Sequence, residues 1–193
     1  MNRIILRAKS LVAPALLILL LSACSSGISR SPEMLSAPKV YFGENNQQAG
    51  SISIGLTAEA EQVAATTTRI NQNEILQLVR RGLEVRNALT KEADSALPKI
   101  EILITSVRSR SAFNAVMWGF MAGDDHIKGD VIVRSPVGGE LQRFAVSASY
   151  ALGGFAGGQT EARMGWLYET FAKHVVDELT GTKAKPSPPS PVS

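Results

Sequence analysis

KIEILITSV, Lys99 to Val107, alternates as a β-strand does. Ile100, Ile102 and Ile104 fall on one face at a period of two, and Leu103 and Val107 fall on the other. Apolar residues on both faces predict a central strand, and the fold is read outward from it.

Upstream, Asn71 and Glu74 stand three apart like a capping box, and Ile75, Val79 and Leu83 recur every four residues, which predicts a helix over 72–90 with Arg80, Arg81 and Arg86 on its wetter side. Earlier still, SISIGL, Ser51 to Leu56, alternates as a strand, and Val40 to Phe42 reads as another. Downstream, HIKGDVIVR (His126 to Arg134) and ELQRFAVSASY (Glu140 to Tyr150) predict two strands, joined by SPVGG with turn chemistry of hairpin length. A last helix over 161–179 carries the stripe Met164, Leu167, Phe171 and Val175, widened by Tyr168, Ala172 and Leu179. Gly181 stands where a left-handed cap belongs. The order strand, helix, strand, hairpin, helix predicts an α/β fold: two layers, a mixed β-sheet with helices packed mainly on one face. It lacks the long βα alternation of a doubly wound nucleotide fold, and no internal repeat is visible.

The first two dozen residues belong to a different system. A basic start (Arg3, Arg7, Lys9) precedes the apolar run from Leu11 to Leu21, and the small residues Ser22 and Ala23 follow. At about 1.5 Å of rise per residue the run spans roughly 16 Å, half of the ~30 Å hydrocarbon core, which disfavours a permanent transmembrane helix. The run ends at the chain's single cysteine, Cys24. A lone cysteine excludes a disulfide within the chain, and a thiol on a flexible end is a poor scaffold for catalysis.

Leu21 to Cys24, LSAC, resembles the lipobox of bacterial lipoproteins. That resemblance implies a signal peptide over 1–23 that is cut before Cys24, a diacylglycerol thioether on the Cys24 thiol, and acylation of the new amino group, palmitate included. Thiolates are strong nucleophiles, and several acyl chains anchor where one alone binds marginally. Ser25 stands where an Asp commonly marks inner-membrane retention, so the resemblance points to the outer membrane, facing the periplasm. Residues 24–37, rich in Ser and Pro, read as a flexible tether, 38–181 as the periplasmic domain, and 182–193 as a disordered Pro-rich tail.

Signal removal also takes the basic count from 20 to 17, against 17 acidic residues, so the overall +3 vanishes in the mature chain. With no basic run and no basic stripe alternating with aromatics, nucleic-acid binding is set aside.

KIEILITSV, IKGDVIVRSPVGGEL and EARMGWLYETFAKHVVDEL together with the lipobox resemble the bacterial lipoproteins of domain-of-unknown-function family 4410, over about Pro38 to Gly181. The resemblance implies an architecture similar to the amino-terminal domain of the periplasmic protein TolB and to curli-secretion lipoprotein domains. It carries over no catalytic residue.

Three stretches hold chemistry to be weighed. In FNAVMWGFMAG, Phe113 to Gly123, the large apolar residues Phe113, Val116, Met117, Trp118, Phe120 and Met121 crowd together between two strands. Either they pack on the domain's own core or they form a contact surface for an envelope protein partner or the bilayer, with Arg108 and Arg110 placed to meet lipid phosphates. GGFAGGQT, Gly153 to Thr160, is one substitution from the phosphate-cradling G-x-x-x-x-G-K-[ST] loop, but Gln159 replaces the lysine that neutralises phosphate, leaving at most weak anion or nucleotide binding. DDH, Asp124 to His126, offers two carboxylates and an imidazole, but neighbours on a strand alternate sides and seldom share one ion. The acids read as solvated, and His174 reads as a helix-surface residue favoured near a carboxyl end.

No esterase elbow, H-E-x-x-H or C-x-x-C pattern occurs, and no cofactor or metal is called for. The expectation is a non-catalytic, membrane-anchored binding or accessory component of an envelope assembly. An envelope hydrolase is the alternative, and a cleft where Asp124, Asp125, His126 or the 153–160 loop converge with a perturbed acid would favour it.

Overall fold

The computed structural model describes residues 26–31, 39–66, 70–110, 123–150 and 159–182. Cys24, the apolar residues Phe113 to Met121, Gly153 to Gly158 and all of the tail but Thr182 lie outside them. The elements are β1 (Gly27–Ser29), β2 (Ser51–Leu56), α1 (Ala58–Thr66), α2 (Gln72–Val85), β3 (Lys99–Arg108), β4 (Asp125–Arg134), β5 (Glu140–Tyr150) and α3 (Thr160–Thr180). The strands form one five-stranded sheet in the order β1-β5-β4-β3-β2. β2 and β3 pair in parallel, and the other neighbours pair antiparallel. This is the expected α/β fold with a mixed sheet.

α2 and α3 cover one face. Ile75, Val79 and Leu83 of α2 and Leu167, Phe171, Val175 and Leu179 of α3 lie fully buried over Ile100, Ile104, Ile127, Val131, Val133 and Phe144 of the sheet. At roughly 1.5–3 kcal/mol for each buried aliphatic or aromatic side chain, this interface is the main source of the fold's stability. The other face carries ion pairs instead, Arg134 to Glu101 at 2.6 Å and Arg143 to Asp130 at 3.6 Å. Their long stems cover Ile132, which is 5% exposed.

The helix boundaries have local causes. Asn71 Oδ1 accepts the Glu74 backbone N–H at 3.2 Å, as the capping pattern predicts, while the Glu74 carboxylate accepts the Asn71 side-chain amide rather than its backbone N–H. α2 ends at Val85, short of the expected residue 90, because Asn87 adopts φ 52°, a left-handed conformation that no helix continues. α3 ends as expected, with Gly181 at φ 70° and its N–H on Asp177 O.

Several sequence readings are corrected. Val107 does not share the outer face with Leu103, because the β3–β4 register shifts between Ile104 and Ser106; the extra residue, Thr105, flips the alternation and buries Val107 with Ile104. Residues 40–42 form no strand: Phe42 N donates to Leu179 O at 2.8 Å and plugs the end of α3. α1 has no counterpart in the sequence reading, since it buries only Ala60 and so leaves no apolar stripe to detect.

The largest correction concerns the segment expected to be a tether. Gly27, Ile28 and Ser29 pair with Ser147, Val146 and Ala145 as an edge strand. Ile28 packs against the core, Arg30 pairs with Glu178, and its guanidinium sits 5.2 Å from the Phe144 ring centroid. These contacts make residues 26–31 part of the domain.

Candidate functional site at the loop-bearing end of the sheet

β3 and β5 finish, and β4 and α3 begin, at one end of the molecule. There Asp125, 0% exposed, lies between Arg110 at 4% and Arg163 at 1%. Asp125 Oδ1 accepts the Arg110 backbone N–H at 2.5 Å, and Oδ2 accepts Arg110 Nη2 at 3.2 Å and Arg163 Nε at 2.8 Å. Two guanidinium groups outnumber one carboxylate, and backbone oxygens accept further donors: Gly123 O from Arg110 Nη1 at 2.7 Å, Tyr150 O from Arg110 Nη2 at 3.1 Å, and Arg110 O from Arg163 Nη2 at 2.9 Å. Buried charge persists only when satisfied in this way. The cluster therefore ties together Arg110 and Gly123, which flank the apolar stretch, and Tyr150 and Thr160, which flank the glycine-rich one.

This overturns two expectations. Asp125 is not a solvated loop acid, and Arg110 is not placed to meet lipid phosphates, because each is committed to the other.

A second constellation lies one row away, on the sheet face opposite the helices. Ser106 Oγ is 3.1 Å from His126 Nε2, and His126 Nδ1 is 3.4 Å from Asp124 Oδ1. The β3 bulge turns Ser106 to this face, and antiparallel pairing brings the ends of β3 and β4 side by side. The order hydroxyl, imidazole, carboxylate is that of an activated serine nucleophile. A shallow groove of about 360 Å³, lined in part by Thr105, Lys128, Asp130 and Ser147, runs beside it. Ser106 escaped the sequence reading because no motif marks it; only the bulge and the β3–β4 register join it to His126.

The remaining predicted residues are not drawn into a site. The glycine-rich stretch follows β5, which is antiparallel to both of its neighbours, whereas a phosphate loop follows a parallel strand. The Thr160 hydroxyl accepts Arg163 Nη2 at 3.4 Å, and Gln159 caps α3 without a side-chain hydrogen bond. His174 is half-buried on α3; burial, with the Lys173 charge adding to it and Asp177 opposing, lowers its pKa. Among the described residues no group of three His, Cys, Asp or Glu side chains could hold a metal ion, and no helix is long and apolar enough to cross a membrane.

A mixed five-stranded sheet with α2 and α3 on one face and a salt-bridged knot at its loop-bearing end defines a small α/β domain. Residues 43–154, more than half of the chain, match the model of DUF4410, a domain of unknown function, and the chain belongs to that family. The match stops short of α3, which the sequence resemblance had included. Among solved structures, the PelC dodecamer from Paraburkholderia phytofirmans is similar over 81% of this chain and 99% of its own, at 9% identity and a TM-score of 0.50. A Xanthomonas campestris protein of family DUF330 shares 12% identity over 82% of this chain and 91% of its own, with a TM-score of 0.46. The rare lipoprotein B from Shewanella oneidensis shares 14% identity over 67% and 89%, with a TM-score of 0.37. At these identities the likeness to PelC speaks of fold alone, and the two lower scores carry no argument. No curated protein matches the chain.

Proposed function

We propose that the chain is a lipoprotein of the cell envelope, held by acylated Cys24 at the outer membrane, and that it is a non-catalytic binding or accessory component of an envelope assembly. The observation that carries the reading is how near to Cys24 the described fold lies: among the described residues the first strand starts at Gly27, three residues after it. Cleavage before Cys24 would leave the anchor within three residues of the sheet. Phe113, Val116, Met117, Trp118, Phe120 and Met121 are the proposed contact segment. Confinement to one membrane raises the effective concentration of any partner there.

Cys24→Ala is expected to abolish labelling by radioactive palmitate and to leave uncleaved precursor; normal labelling would end the reading. Crosslinking in membranes with mass spectrometry then identifies the neighbours. A crosslinked set unchanged by Met117→Asp or Trp118→Asp, in folded protein, would remove the contact segment from the proposal.

The Ser106, His126 and Asp124 geometry favours a second reading, an envelope hydrolase acting by acyl transfer. A fluorophosphonate probe decides it: labelling lost in both Ser106→Ala and His126→Ala supports a nucleophile, whereas no labelling of the native protein removes this reading.

A further inference from the structure

The serine that opens the described fold fixes where the chain emerges. Ser26 Oγ accepts the Ser149 backbone N–H at 2.8 Å and donates to Ser149 O at 3.3 Å. Ser149 pairs with His126 across β5 and β4, and His126 with Arg108 across β4 and β3. Ser149, His126 and Arg108 thus form one row across three strands, about 10 Å long at ~4.8 Å per strand spacing, and Ser26 is hydrogen-bonded to its β5 member. The row lies at the loop-bearing end. Just inside it, β1 is locked by its three pairings with β5 and by the Arg30 contacts to Glu178 and Phe144.

Only Ser25 separates Ser26 from Cys24. Two peptide steps allow at most about 7 Å between the Cα atoms of Cys24 and Ser26. A headgroup layer is roughly 5–7 Å thick, being half the difference between the ~30 Å core and the 40–45 Å bilayer. A flexible tether over 24–37 would instead give a root-mean-square reach of roughly 20 Å and free rotation of the domain.

We infer that the loop-bearing end, marked by Ser26, Ser149, His126 and Arg108, is a membrane-facing surface that rests in the phospholipid headgroup layer, with the sheet standing away from the bilayer. The inference rests on the reading that Cys24 is lipidated, and it adds orientation and distance to that reading. The opposite end then projects into the periplasm. The β4–β5 turn lies about 34 Å away along β5 at ~3.4 Å per residue, with Val137 at its tip 94% exposed. Thr182, where the Pro-rich tail begins, leaves α3 roughly 28 Å from Arg163 at 1.5 Å per residue.

The test uses the full-length mature lipoprotein, whose own thiol is blocked by the thioether, so that one introduced cysteine carries a fluorophore. The proteins are reconstituted in phosphatidylethanolamine and phosphatidylglycerol vesicles with a nitroxide on the lipid headgroup. Quenching at Glu161→Cys, in the first turn of α3, is expected to exceed that at Val137→Cys at least threefold. A twelve-residue Gly/Ser insertion between Ser25 and Ser26 should reduce the ratio toward one. Equal quenching at the two sites without the insertion would overturn the orientation. Flotation and intact mass are read on the same samples. A protein that floats and carries lipid but shows equal quenching sinks this inference alone, whereas one without lipid sinks the anchor reading, and this inference with it.

Discussion

Arg163 Nε donates to Asp125 Oδ2 at 2.8 Å, between side chains that are 1% and 0% exposed. This contact joins the first turn of α3 to the first residue of β4, and through Arg110 it reaches the end of β3. Three elements distant in sequence are thereby fixed where the chain enters and leaves the β3–β4 and β5–α3 connections. Such a knot does not guarantee stability, since burying ions is costly. Removing one partner from it is another matter.

Asp125→Ala leaves two buried guanidinium groups without their carboxylate and is expected to destabilise the domain by about 3–5 kcal/mol, the range for breaking a buried pair. Asp124→Ala, whose carboxylate is partly exposed beside His126, should cost less than about 1 kcal/mol. Urea midpoints measured on the two variants check this. Similar midpoints would return Asp125 to the status of an ordinary surface acid.

The contrast between Asp124 and Asp125 shows where sequence reading stops. DDH places both acids in a polar stretch, and the partner that buries Asp125 is Arg163, 38 residues away. Nothing local distinguishes the two. β1 was hidden for a similar reason: three residues, GIS, cannot display a period, and only β5 makes them a strand. The long elements were legible because their apolar residues recur over three or more periods, as in Lys99 to Ile104 and in α3. The parity of Val107 was lost at the Thr105 bulge, which depends on pairing with β4 rather than on composition. Ser106, and with it the arrangement around His126, went unread for the same reason.

Helices α2 and α3 approach closely at Gly82, where an added Cβ would stand 2.8 Å from Val176 Cγ2 and 3.3 Å from Cγ1. Gly82→Ala gains about 1 kcal/mol of helix propensity but meets an overpacking cost of about 1–3 kcal/mol, because a valine in a helix has little rotamer freedom with which to yield. The single variant is expected to be neutral to about 2 kcal/mol less stable. In a Val176→Ala background the same change should stabilise. A double-mutant cycle reads the difference, and additivity within about 0.5 kcal/mol would show that the helices simply move apart.

Tyr168 accepts the Asn71 backbone N–H on its hydroxyl oxygen at 3.0 Å, linking α3 to the cap of α2. Burial, reinforced by the Glu74 charge, raises its pKa against the opposing effect of that hydrogen bond. The folded state therefore holds the phenolic proton more tightly than the unfolded chain. The resulting stability is complete below the unfolded value of about 10 and is lost as pH rises through the folded one. Tyr168→Phe should cost about 1 kcal/mol at neutral pH through the unpaired Asn71 N–H, yet lose less than the native protein between pH 9 and 11. Parallel curves for the two proteins across that range would show that Tyr168 does not contribute to alkaline unfolding.

His174 should act at the acid side with the opposite sign. Burial lowers its pKa, the neighbouring Lys173 charge lowers it further, and Asp177, which also pairs with Arg86 of α2, opposes them. The folded protein thus releases the imidazole proton more readily than the unfolded chain does. Its contribution is fully present above the unfolded value of about 6.5 and fades as pH falls through the lowered folded value. His174→Gln is therefore expected to flatten the stability profile between pH 7 and 5, most visibly as a smaller drop in urea midpoint on acidification. His126→Gln supplies an internal comparison: if it flattens the profile and His174→Gln does not, the acid sensitivity does not belong to His174.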